Sequence, residues 1–85
     1  MPNNYDVFPR VGQGFWAEAK TKDRHLRLFS AVTEFGEEGC VFDMDAKGWI
    51  AREWADDLED GKRKAQAIAE AVLKTLPPIE WKKSP

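Results

Sequence analysis

The stretch DDLEDGKRKAQAIAEAVLKTLPP, residues 56–78, decides the fold. Its apolar residues Leu58, Ala65, Ile68, Ala69, Val72 and Leu76 recur at the spacing that lines up one stripe of an α-helix. Lys62, Arg63, Gln66, Glu70 and Lys74 fall on the other side, for solvent. Asp56 and Asp57 stand just before Leu58, where an aspartate caps a helix by accepting a backbone N–H bond, and Glu59 and Asp60 suit the positive first turn. Pro77 and Pro78 cannot continue the helix. The spacing therefore predicts one helix over 58–76 whose stripe needs a partner layer. Gly61 weakens the first turn by roughly 1 kcal/mol relative to Ala, so either close packing against a Trp side chain or fraying is expected there. Beyond the prolines, Ile79-Glu80-Trp81-Lys82-Lys83 continues as an extended tail whose Trp81 can fold back.

The partner layer lies upstream. From Phe15 to Thr21, Phe15, Ala17 and Ala19 alternate with Trp16, Glu18 and Lys20, the period of a half-buried strand, and Lys22-Asp23-Arg24 makes a polar turn. The next run, His25 to Glu34, sets Leu26, Leu28, Ser30 and Val32 on one side with Phe29 and Ala31 on the other. Phe35-Gly36-Glu37-Glu38-Gly39 reads as a reversal, because its glycines supply the positive φ a tight turn needs. Cys40 to Met44 follows as a strand, Asp45-Ala46-Lys47-Gly48 as a type I turn, and Trp49 to Ala55 as a strand paired with its predecessor. Residues 1–14, rich in Pro, Gly and Asn, read as an irregular arm pinned by Tyr5, Val7 and Phe8. The fold class that results is α+β: a three- or four-stranded antiparallel meander packed on one face by a single long C-terminal helix. The organisation is an arm over 1–14, one domain over 15–76 and a tail over 77–85.

At 85 residues, with 42% hydrophobic and 33% charged side chains, the chain suits one folded domain with a single small core. No apolar run approaches the roughly 20 residues that span a bilayer, MPNNYDVFPR lacks the basic start and apolar core of a signal peptide, and Cys40 is the sole cysteine. A cytoplasmic location, no membrane and a buried thiol are the expectations. The net charge of −2 is unevenly spread: +2 over residues 1–33, −8 over 34–60 and +4 over the remainder. Such asymmetry bears on partners rather than on fold.

Several chemistries can be set aside on residue type. Asp43-x-Asp45-x-Lys47-Gly48 begins like a calcium loop, but Lys47 fills the fifth position and Trp54 the twelfth, where the loop wants a bidentate glutamate. Structural zinc needs four N or S ligands against the one His and one Cys present. Gly12-x-Gly14 lacks the third glycine, preceding strand and following helix of a dinucleotide site. No metal and no cofactor are expected. His25 reads as a solvated turn residue, and Ser30, Thr33 and Cys40 lack an evident activating partner, so the chain is expected not to be an enzyme.

Lys62-Arg63-Lys64-Ala65, with Ala69, Ala71 and Leu73, resembles the last helix of double-stranded RNA-binding domains. That resemblance implies a basic helix start meeting phosphates across a groove, with small alanines packed on the sheet and Lys74, Lys82 and Lys83 as a basic extension. It covers about twelve residues of the chain; that family's N-terminal helix has no counterpart in the proline- and glycine-bearing arm, and Asp56, Asp57, Glu59 and Asp60 would repel phosphates. Nucleic-acid binding, to duplex RNA or DNA, is accordingly the alternative function.

Two features point instead to a protein partner. The acids Glu34, Glu37, Glu38, Asp43, Asp45, Asp56 and Asp57 would form a negative edge if the sheet brings them together, suited to a basic surface such as a nucleic-acid-binding protein presents. Trp16, Phe29, Val41 and either Trp49 or Trp54 compete for the sheet face that one helix cannot cover, the kind of aromatic surface found at interface hot spots. Either the arms cover that face or it binds a partner or a second copy. The leading expectation is a small non-enzymatic protein-binding module, an acidic-surface inhibitor of a nucleic-acid-handling protein. In general format it looks like small proteins encoded by phages and mobile elements.

Overall fold

The structure, a computed structural model, describes residues 14–84. The arm with Tyr5, Val7 and Phe8 lies outside the described residues, except that Gly14 already belongs to the sheet. The elements are β1 (Gly14–Lys20), β2 (His25–Thr33), β3 (Gly36–Asp43), β4 (Gly48–Ala55), α1 (Leu58–Leu73) and β5 (Lys82–Lys83). Every pairing is antiparallel and the spatial order is β4-β3-β2-β1-β5, a four-stranded meander plus a fifth strand from the tail. The class is the expected α+β, with α1 laid on one face of the sheet.

Register explains which residues meet the helix. Ala19 faces Leu26, Ala17 faces Leu28, and Leu28 faces Val41, so one phase of each strand forms an apolar row. Ala19, Leu26, Leu28 and Val41 are fully buried with Ala65 and Ala69 of α1, flanked by Ile50, Ile68, Val72 and Leu73. Val41 thus belongs under the helix, not on the opposite face with the tryptophans.

The helix starts as read: Asp57 is the N-cap and accepts from Asp60 N–H at 2.8 Å. It ends three residues before Leu76, at Leu73, whose carbonyl the Pro77 ring would strike if the helix ran on. Lys74 turns left-handed (φ +69°) and donates its N–H to Glu70 O at 2.8 Å. Leu76, Ile79 and Trp81 nevertheless pack on the core, and Trp81 Nε1–H donates to Gln66 Oε1 at 3.0 Å. The tail then returns along β1, pairing Trp16 with Lys82 and Phe15 with Lys83.

Gly36 to Gly39 is strand rather than reversal. The turn is tighter, held by the Thr33 hydroxyl, which accepts from Phe35 N–H at 3.0 Å and donates to Gly36 O at 2.8 Å. Gly36 alone takes a positive φ there. Gly39 serves packing: it lies under Gly61, and a Cβ on either would collide with the other strand or helix. Gly61 therefore approaches Ser30 and the β3 backbone, not a Trp. Ser30 Oγ completes the junction by donating to Leu58 O at 2.5 Å.

Candidate protein-interaction surface

On the face away from α1, the register sets Trp16, Phe29, Cys40 and Arg52 in one row, Arg27, Phe42 and Trp49 in the next, and Ala31, Glu38 and Trp54 in a third. This face has a small core of its own. Phe29 is 2% exposed and packs with Cys40, Phe42, Trp16 and Met44, while Trp49 stands edge-on to Phe42 (5.0 Å) and Phe29 (5.7 Å). Phe29 is thus an interior residue, and Trp16 is half-buried with the Arg27 guanidinium and Lys82 ammonium 5.0 and 5.2 Å from its ring centre. Trp49 and Trp54 remain exposed, at 43% and 60%.

A third aromatic joins them. Phe35, at the β2–β3 turn, is 79% exposed. The Trp54 ring lies over the neighbouring Gly36, within 3.8 Å of where a Cβ would stand. Phe35 and Trp54 therefore share one end of the sheet. The sequence reading missed Phe35 by assigning it to a reversal. The available signal was an aromatic in a turn, where no strand face can bury it.

The acids divide between two ends. Glu34, Glu37, Asp56 and Asp57 lie at the Phe35 end, because Glu37 pairs with Ala55 just before Asp56. Asp43 and Asp45 lie at the opposite turn, about 20 Å along β3 at the rise of a strand. The single acidic edge over all seven residues does not form, since successive turns of a meander alternate ends.

Several of these carboxylates are also spoken for. Asp43 accepts from Asp45 N–H, Ala46 N–H and Arg24 Nη2 at 2.9, 3.0 and 3.0 Å, and its carboxyl is held below the usual range by the Ala46 hydrogen bond first, then by that of Asp45 and by Arg24. Asp45 accepts from His25 N–H at 3.2 Å, and Asp57 caps α1. Glu38, nearly buried, takes both Nε and Nη2 of Arg52 at 3.1 and 2.8 Å, which raises the Arg52 pKa and sets its guanidinium 5.5 Å from the Trp49 ring centre. Among the described residues Glu34, Glu37 and Asp56 make no ion pair, and neither does Glu53, an exposed β4 residue the sequence reading left out. These four lie at or near the sheet end that carries Phe35 and Trp54, where the Lys64 ammonium sits on Trp54 O.

Each residue of the basic triplet has a partner within the chain, although Arg63 stays largely exposed. The Lys62 ammonium sits 3.9 Å from the Phe15 ring centre and 3.1 Å from Glu59 Oε2. Arg63 pairs with Asp60, and Lys64 donates to Trp54 O at 2.8 Å. Successive helix residues also diverge by about 100°, so the three do not aim at one row of phosphates. Asp60 is held below the ordinary aspartate range by the Asp56 N–H bond and by Arg63 and Lys64.

His25 and Cys40 are not neighbours: Cys40 pairs with Phe29, about 13 Å along β2 from His25. His25 Nε2 lies 3.1 Å from Glu18 Oε2, which also accepts from Arg27 Nη2 at 2.6 Å. Burial pushes the Cys40 thiol up to about 12, with Glu38 adding to the shift, so it stays protonated at neutral pH. Among the described residues no helix is long and apolar enough to cross a membrane. No family model, curated protein or solved structure matches the chain.

Proposed function

We propose that this chain is a non-enzymatic protein-binding module whose contact surface is the Phe35–Trp54 end of the sheet. One observation carries the reading: two highly exposed aromatics, on a hairpin turn and an edge strand at one end of the sheet, lie near four carboxylates that make no ion pair among the described residues. Aromatic side chains bury much area at small entropic loss, and a like-charged rim steers and selects an oppositely charged partner. The partner class this suits is a basic protein surface with an apolar centre, of the sort nucleic-acid-handling proteins present, which makes inhibition of such a protein the working role. Binding of nucleic acid by Lys62, Arg63 and Lys64 has weaker support, because each already has an internal partner.

Affinity capture with the immobilised chain, followed by titration of each captured protein in pure form, tests the reading. Joint replacement Phe35→Ser and Trp54→Ser is expected to weaken binding by about a hundredfold, the scale of hot-spot loss. Neutralising Glu34, Glu37, Glu53 and Asp56 is expected to slow association and flatten its salt dependence. Lys62→Gln with Arg63→Gln is expected to leave affinity unchanged. Equal affinity for the double-serine variant, or steeply salt-dependent binding of duplex RNA, would overturn the proposal.

A further inference from the structure

Among the described residues the outer edge of β4 is unpaired, since β4 ends the sheet. Alternate residues of an edge strand turn N–H and C=O groups outward, a template for one more strand. Among the described residues the only bond these groups make beyond β3 is the Lys64 ammonium on Trp54 O. The two halves of the edge differ. Near Trp49 the register slips opposite Val41 and Phe42, a bulge that spoils regular pairing, whereas Ala51 to Ala55 runs in unbroken register.

The side chains of that regular half state what would sit beside them. Towards α1 it presents Ala51, Glu53 and Ala55: a carboxylate that makes no ion pair among the described residues, between two residues too small to crowd it. On the other face it presents Arg52, already satisfied by Glu38, and the exposed Trp54. A second copy fits poorly. Antiparallel pairing about a two-fold axis sets Glu53 against Glu53, or Arg52 against Arg52, when centred on either residue. Centring on Trp54 pairs Arg52 with Asp56 but brings two sets of Glu34, Glu37 and Asp57 together.

We infer that Ala51–Ala55 of β4 receives an extended segment of a partner protein as an added strand, with a lysine or arginine beside Glu53 and an apolar side chain against Trp54. This rests on the protein-binding reading above and gives it a docking mode.

Selection of random displayed peptides of about ten residues, long enough for one strand, against the whole folded chain tests it. The selected sequences are then made synthetically, with backbone amides N-methylated in one or the other alternating set. Expected are peptides alternating basic and apolar residues that shift the amide resonances of 51–55. One methylated set should bind about tenfold or more weaker and the other unchanged, because only one set donates to the edge. Glu53→Gln should weaken binding by about twofold to fivefold. Peptides that need Trp54 but tolerate both methylated sets equally would sink strand addition and leave the protein-binding reading standing. Failure to select any peptide, or peptides indifferent to Trp54→Ser, would sink both. A dimer formed through β4 in sedimentation would also overturn the inference.

Discussion

Replacing Gly39 by alanine sets two physical expectations against each other. The backbone of Gly39 is ordinary strand, with no positive φ, so conformational entropy alone favours alanine by roughly 0.5–1 kcal/mol. The contacts argue the other way. An added Cβ would overlap the Gly61 carbonyl oxygen and come within 3.1 Å of both Gly61 C and Ala65 N. All of these are helix backbone, so no side-chain rotation relieves them; α1 must lift. Lifting it loosens Ala65 and Ala69 from Leu28 and Val41 and stretches the 2.5 Å Ser30–Leu58 bond. Overpacking of this kind costs about 1–3 kcal/mol, and the lost bond about 1 more, which exceeds the entropic gain.

The net expectation is a loss of about 2 kcal/mol and a fall in Tm of about 10 °C for a domain of this size. Urea unfolding followed by tryptophan emission should show a lower midpoint with an unchanged slope. Gly48→Ala is the internal control: nothing lies within 4 Å of a Cβ there, so it should stay within about 0.5 kcal/mol of the parent. A Gly39→Ala protein as stable as the parent, or more so, would refute the close helix–sheet approach and the packing argument with it.

Gly61→Ala should likewise destabilise, by about 1 kcal/mol, although it removes a glycine from a helix; adding Ser30→Ala should recover part of the loss, which a double-mutant cycle in urea would reveal. Glu18, Asp43 and Asp60 all have folded pKa values below their ordinary 4.5 and 3.8, so their contribution is complete above pH 4.5 and lost as pH falls through the folded values. Asp43→Asn should therefore flatten the acid limb of the stability profile measured by urea midpoint. Cys40, with its thiol raised from 9.0 to about 12, should react with an aromatic disulfide reagent at pH 8 only as fast as the chain opens, and its contribution to stability should fade as pH rises from 9 towards 12. Absorbance of the released thiolate, with and without urea, checks the first point.

Much of the fold is legible because two periods dominate it. The alternation around Ala17, Ala19, Leu26 and Leu28, and the helical recurrence of Ala65, Ile68, Ala69 and Val72, each bury one stripe. What escaped was decided between elements. Gly36 and Gly39 have turn composition, yet Gly39 is glycine because a helix passes over it, which no local reading shows. Val41 and Phe42 are both apolar, so the strand has no marked phase until Leu28 opposite fixes Val41 inward. The two-residue pairing of Lys82 and Lys83 follows from Trp81 anchoring on Gln66, and lysine carries no strand signal of its own. For the site, Trp49 and Trp54 are five residues apart and would point to opposite faces of a regular strand; the bulge opposite Val41 and Phe42 brings them to one face, which no local reading shows. The separation of Asp43 and Asp45 from Glu34 and Glu37 follows from the meander the sequence already implied, since its turns alternate ends.

The magnitudes also say why Phe35 and Trp54 do not suffice alone. At 79% and 60% exposure they leave about 300 Å² of aromatic surface in water, using typical side-chain areas. Burying all of it yields about 7 kcal/mol. Association of two bodies costs an estimated 4–15 kcal/mol, so this pair acting alone gives at most marginal binding. Glu34, Glu37, Glu53 and Asp56 raise the encounter rate more than the strength of the complex, because exposed charges are screened within about 10 Å. A useful affinity therefore requires a further set of interactions with fixed geometry next to Trp54. The outward-facing backbone of Ala51–Ala55 is the feature in that position, and ordered pairing there would also fix the register that the aromatic contact leaves open.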